Sequence, residues 1–259
     1  MRLVFRAAIF HFRTHWSNQA NFWSGITGML VNNSLILFGI WAMLFAGKSH
    51  LNESRDGFLM MNLILMLAWG CLHVFGGGAT TLDTQITQGH LDSAMTTPRA
   101  PLLVLSLTSS YLPAWGDMLL GFIGILAFSF RLGPVFFLHA LLISIFATLA
   151  LLAVYLFIGC LAFWFRRTDN AHSVLVNICL AFNTYPVYEG SGAGPRWMIF
   201  ILPLLLSGAV PAAYLVNPSL KMLALEAGGS VVMFFLARAV FHRGLRRYQS
   251  ASVPSLQRS

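Results

Sequence analysis

The sequence predicts an all-α integral membrane protein with six transmembrane helices, an N-terminal interfacial amphipathic helix and re-entrant helices between the fifth and sixth spans. Three observations predict it. Six apolar stretches cover almost the whole chain, and five of them exceed the roughly 20 residues that a helix rising about 1.5 Å per residue needs to cross a bilayer. Charged residues make up 9% of the chain and hydrophobic ones 57%, where soluble domains carry about 25% charged residues. The basic residues stand toward the ends of the apolar stretches.

Residues 1–20 mix Leu3, Phe5, Ile9, Phe10, Phe12 and Trp16 with Arg2, Arg6 and Arg13 at near-helical spacing, the pattern of a helix lying in the membrane surface. The arginines interrupt the start and the following apolar run is long, so no cleavable signal peptide is expected. Residues 21–248 are the membrane domain. Its expected spans run from Asn21 to Ala46, Phe58 to Thr81, Leu102 to Phe130, Phe136 to Phe165, from near His172 to a break at Tyr185-Pro186, and from Ser219 to His242. Arg131-Leu132-Gly133-Pro134 is a tight turn between the third and fourth. Residues 249–259, rich in serine, form a disordered tail. With the N-terminus inside, the segments between spans hold eleven basic residues on the cytoplasmic side and five outside, so both termini are expected in the cytoplasm.

Two segments exceed simple spanning. Residues 83–101 contain Ile86, Leu91, Ala94 and Met95, which fit one side of a short helix ending before Pro98, since a residue preceding proline resists the α conformation. Such a surface helix between two spans is a natural docking element. Residues 183–218 carry five of the ten prolines, and their apolar runs Trp197 to Leu206 and Ala209 to Val216 are too short to cross. They suit a re-entrant segment in the outer leaflet, since irregular backbone at membrane depth must be buried in protein or line a wet cavity.

Chemical motifs are sparse. Gly47-Lys48-Ser49 lacks the glycine that a phosphate-binding loop needs five residues earlier, where Ala42 stands. The eight acidic residues are scattered singly, and no carboxylate or second His stands at metal-ligand spacing from His73 or His139. Cys71, Cys160 and Cys179 fall in apolar spans and form no disulfide framework. A net charge of +8 spread over span ends is not a nucleic-acid footprint. Asp117 and Glu226 are ionisable residues inside expected spans and therefore functional candidates; Asp117 falls near the middle of the third, and Glu226 lies closer to the outer surface, where solvation is cheaper. An ion-coupled carrier using Asp117 and Glu226, or a multi-span membrane enzyme, are the rival classes.

The pattern Gly89-x-Leu91-Asp92 followed by Pro98, then Asn183-Thr184-Tyr185-Pro186 and the series Pro203, Pro211 and Pro218, resembles the permease subunit of a type-2 ATP-binding-cassette transporter, in a bacterial six-span branch. Where members of that family often carry Glu before the loop glycine, this chain has Thr87 and Gln88. The resemblance implies a non-enzymatic membrane subunit of an ATP-driven exporter in the bacterial inner membrane. It implies an ATPase subunit in two copies that carries the ATP and magnesium, with no cofactor in this chain, and a second permease chain, identical or related. Ile86, Gly89, His90, Leu91 and Asp92 then couple to the ATPase, while Asp117, Glu226, Tyr185 and Pro186 line the translocation path or a subunit contact.

Overall fold

The computed structural model describes residues 2–45, 52–165, 177 and 206–248, and among them every regular element is helical. Five segments are long and apolar enough to span: Gln19–Met43, Asp56–Thr87, Ala114–Leu132, Pro134–Phe163 and Leu220–Leu245. The expected fifth span, with Tyr185 and Pro186, lies outside the described residues.

Helix α1, Arg2–Trp16, turns Val4, Ala8, His11 and His15 toward the protein, and His11 Nε2 meets the Leu107 carbonyl at 3.1 Å. Its outward side carries Phe5, Ile9, Phe12 and Trp16 in one row, with Arg6 and Arg13 beside it. An apolar row flanked by cations is what an interfacial helix requires. Asn18 caps the next helix by accepting from the Asn21 N–H at 3.1 Å, and α2 runs from Gln19 to Phe45. After α3, Asn52–Gly76, a 3-10 turn at Gly77–Thr81 leads into α4, Leu82–Thr87. Short helices α5, His90–Met95, and α6, Pro101–Ser106, follow. Helices α7, Ala114–Leu132, and α8, Pro134–Cys160, are joined at Gly133, whose φ of 92° suits only glycine, with Pro134 starting α8. The expected turn is therefore found.

Helix α8 is the centre. Its Ile143, Ala147, Ala150, Leu151 and Val154 are buried, with α3 and α10 (Leu220–Leu245) packed on it. Helices in a membrane gain no hydrophobic drive from associating, so close approach through small residues decides the packing. At the α3–α7 crossing a Cβ on Gly70 would sit 2.4 Å from the Met118 nitrogen, and one on Gly121 2.5 Å from the Leu67 nitrogen. Backbone cannot rotate away as a side chain can. Gly121→Val is accordingly expected to cost about 1–3 kcal/mol, read as a lower melting temperature in detergent, whereas Gly228→Val, with nothing within 4 Å, is expected to leave it unchanged. Equal melting of the two variants would contradict the crossing.

One end of the bundle carries α4, α5 and α6, here called the elbow end. The opposite, far end holds the α7–α8 turn, where Arg131 lies 3.5 Å from Asp56. Helix α9, Ala209–Val216, wedges into that far end beside Phe58 and Met61 and borders a cavity of about 410 Å³. Its bounds match the short run expected not to span, and Pro211 falls in the first turn, where a missing N–H costs nothing. Ser219 then caps α10 by accepting from the Met222 N–H at 3.3 Å. The described run ending at residue 165 stops beside the elbow, where Phe163 packs on Phe241 and Tyr248, and the run 206–248 starts with Leu206.

The third span differs from the expectation. Residues 102–130 do not form one helix; α6 stops at Ser106 and α7 starts at Ala114. Thr108, Ser109 and Ser110 interrupt the apolar run, Pro113 opens α7, and the loop folds back so that the Tyr111 N–H donates to the His73 carbonyl at 3.1 Å. Leu102, Leu103, Val104, Leu105 and Leu107 made that break invisible to hydropathy: Leu102 and Leu105 are buried and Val104 and Leu107 half-buried at the elbow, Leu103 is exposed beside them, and none belongs to the span.

Candidate functional site: the elbow and the polar residues of the spans

The elbow is built by close backbone contact. A Cβ on Gly78 would stand 1.9 Å from the Leu105 carbonyl oxygen, and one on Gly77 2.8 Å from that of Ser109, so only glycines let α6 and its following loop lie on the 3-10 turn. The buried Gln85 fastens the contact. Its Nε2 donates to the Gly78 carbonyl at 2.6 Å and to Thr81 Oγ1 at 3.2 Å, and its Oε1 accepts from Thr108 Oγ1 at 3.2 Å. Sequence reasoning did not single out Gln85; a lone amide within a polar stretch reads as surface until its partners are seen.

Gly89, at a φ of 80°, makes a left-handed break between α4 and α5. The single docking helix expected from residues 83–101 is thus two helices, though the second does end before Pro98. Ile86, Leu91 and Ala94 do share a side, but that side faces inward. They are buried with Leu82, Leu105, Leu156 and Phe241 in one apolar cluster. Leu91 has 0% of its surface exposed, so neither it nor Ile86 is free to touch another subunit. The exposed rim is instead Gln88, His90, Ser93, Met95, Thr96, Pro98 and Arg99, with Asp92 half-buried. Of the expected coupling residues, His90 alone is fully exposed; Gly89 shapes the bend, and Ile86 and Leu91 anchor it.

Gln85→Leu keeps the volume while removing three hydrogen bonds and leaving the Gly78 carbonyl without that partner. A buried polar group left unpaired costs about 1–3 kcal/mol. The variant is expected to insert normally but to expose residues 96–113 to protease in detergent; unchanged digestion would show that Gln85 does not fasten the elbow.

The two acidic candidates do not meet. Asp117 lies in the first turn of α7 and not in mid-helix, because α7 begins at Ala114. There it accepts a hydrogen bond from the Asn33 side-chain amide, tying α2 to α7, and its second oxygen has no partner among the described residues. Gly116 reinforces that crossing, since a Cβ there would lie 2.8 Å from the Ile26 carbonyl oxygen. Glu226 is in the second turn of α10, at the far end, and has 0% of its surface exposed; it accepts from Ser230 Oγ at 3.3 Å. The expectation of easier solvation there is therefore corrected: Glu226 is sealed in the bundle. Asp117 stands about 21 Å along α7 from Arg131, whereas Glu226 is about 9 Å from the start of α10, so the two carboxylates occupy different depths.

A helical bundle of spans, an elbow of short helices at one end and a wedge helix at the other define a multi-pass membrane protein with a rigid, exposed rim at the elbow end. A family model described as "ABC-2 family transporter protein" matches residues 29–252, and the chain belongs to this family of membrane transport components, which are not themselves catalytic. Among curated proteins, none matches the chain.

Proposed function

We propose that this chain is the permease subunit of an ATP-driven exporter in a bacterial inner membrane, with ATP and magnesium held by a separate ATPase subunit that docks on the elbow rim. The observation that carries the reading is the elbow itself. Its apolar side anchors it internally through Leu91 and Ile86 to residues of α8 and α10, so a push on the rim is passed to those two helices. The elbow end is the cytoplasmic one in this reading. Arg6, Arg13, Arg99, Arg238, Arg243, Arg246 and Arg247 stand toward it, against Arg131 and Lys221 at the far end.

A second permease chain completes the path, because one chain of this size is too small to enclose a wide one. Helix α2 supports this: most of its surface lies outside the bundle, Asn32 is exposed in mid-helix, and Gly28 and Gly39 have nothing within 4 Å. Small residues around an interhelical amide suit a partner helix better than lipid. The ion-coupled alternative draws less support, since Asp117 and Glu226 lie at different depths.

The test is to purify the chain from membranes under mild detergent and to reconstitute it. An ATPase subunit is expected to co-purify at one copy per permease, in a particle with two permeases, and to hydrolyse ATP in vesicles. An active particle holding one permease and no ATPase would overturn the proposal.

A further inference from the structure

One groove of the described bundle is not part of the elbow rim. It opens between α3, α6, α8 and α10 at the elbow end, with a volume of about 540 Å³. Its walls are mostly apolar, formed by Phe75, Leu103, Leu152 and Phe234, and Arg238 and His242 of α10 also line it. Two polar groups on the inner wall, the hydroxyls of Ser106 and Thr148, already donate to the Leu102 and Ser144 carbonyls at 2.8 and 2.7 Å. They offer no donor to a polar cargo, so the interior suits hydrocarbon.

The two basic residues of the lining have a different character. Arg238 is exposed, lies about 10 Å inside the α10 terminus at Leu245 and forms no ion pair with a described carboxylate. An arginine at that depth of a span is costly unless it finds an anionic partner. His242 is one turn on, which puts both donors on the same side of the helix. A dry groove whose lining includes an unpaired guanidinium and a neighbouring imidazole is complementary to one kind of molecule.

We infer that the groove between α3, α6, α8 and α10 holds an anionic phospholipid of the elbow-side leaflet, its phosphate on Arg238 and His242 and an acyl chain between Leu103 and Phe234. A guanidinium pairs with phosphate oxygens through two parallel hydrogen bonds, which an ammonium cannot reproduce. Because Leu103 of α6 forms one wall, a bound lipid also braces the elbow from its lipid side.

Native mass spectrometry of the full chain, with equimolar dioleoyl phosphatidylglycerol and dioleoyl phosphatidylcholine, tests this. The wild type is expected to retain one phosphatidylglycerol in preference. Arg238→Gln is expected to lower that preference about tenfold, the loss of a charge-assisted hydrogen bond. Arg238→Lys is expected to keep an intermediate preference, and Arg246→Gln with Arg247→Gln, whose side chains do not line the groove, the full one. Leu103→Trp, which fills the groove, is expected to reduce retention of both lipids, and it serves as the readout if the Arg238 variants do not fold. Equal retention of the two lipids by the wild type, no change in Arg238→Gln, or displacement by excess inorganic phosphate would each overturn the inference. So would a disulfide between two Leu103→Cys chains in membranes, because a second copy would then close the groove.

Discussion

Leu91→Asp is expected to abolish the folded permease and not merely to uncouple it. Leu91 is fully buried at the elbow, in an apolar cluster with Ala79, Leu82, Ile86, Leu105 and Phe241. A carboxylate placed there loses its water and gains no cation, a penalty of several kcal/mol, and its displacement would part the elbow from α8 and α10. Met95, one turn further along α5, has 45% of its surface exposed. Met95→Asp should therefore fold with an unchanged melting temperature while weakening the ATPase complex. Gel filtration after detergent extraction separates the outcomes: aggregation or loss of Leu91→Asp beside a monodisperse Met95→Asp is expected. A monodisperse Leu91→Asp with normal melting would mean that Leu91 faces outward.

Gly78→Val is expected to be nearly as severe, by a different cause. Its Cβ would meet the Leu105 carbonyl oxygen at 1.9 Å and Thr108 Oγ1 at 2.6 Å. The first of these is backbone, so relief requires α6 to move bodily, which also takes the Gly78 carbonyl from Gln85. Valine adds β-branching to a 3-10 turn that packs against chain on its buried side. The five described spans are expected to remain in the membrane, while ATPase binding is lost and the loop from 107 to 113 becomes open to protease. Gly228→Val, on the exposed side of α10, is the matched control, with nothing within 4 Å. Normal ATPase binding by Gly78→Val would contradict the elbow packing.

Much of the fold was legible because apolar length is a strong signal in a membrane chain. Five spans, the interfacial α1, the Gly133-Pro134 turn and the short Ala209–Val216 helix all emerge from composition and from glycine and proline placement. The break between α6 and α7 did not, because Leu102 to Leu107 is as apolar as a span although it packs at the elbow. The elbow was readable as a place but not as a surface. Its apolar stripe reads equally as a docking face or an anchor, and only the packing of Leu91 against Phe241's cluster distinguishes them. Gln85 was hidden for a related reason: its partners, the Gly78 carbonyl and Thr108, come from another turn and another helix. Asp117 was visible as a buried acid, but its partner Asn33 lies 84 residues away, beyond local pattern.

The central claim is that the ATPase binds the elbow rim. A photo-crosslinking residue placed at Met95 or Ser93, both exposed on α5, tests it in intact membranes against the same probe at Asn217, exposed beside α9 at the far end. Capture of the ATPase from positions 93 and 95, and not from 217, is the expected result. Capture from 217, or from none of the three while the complex stays intact, would contradict it.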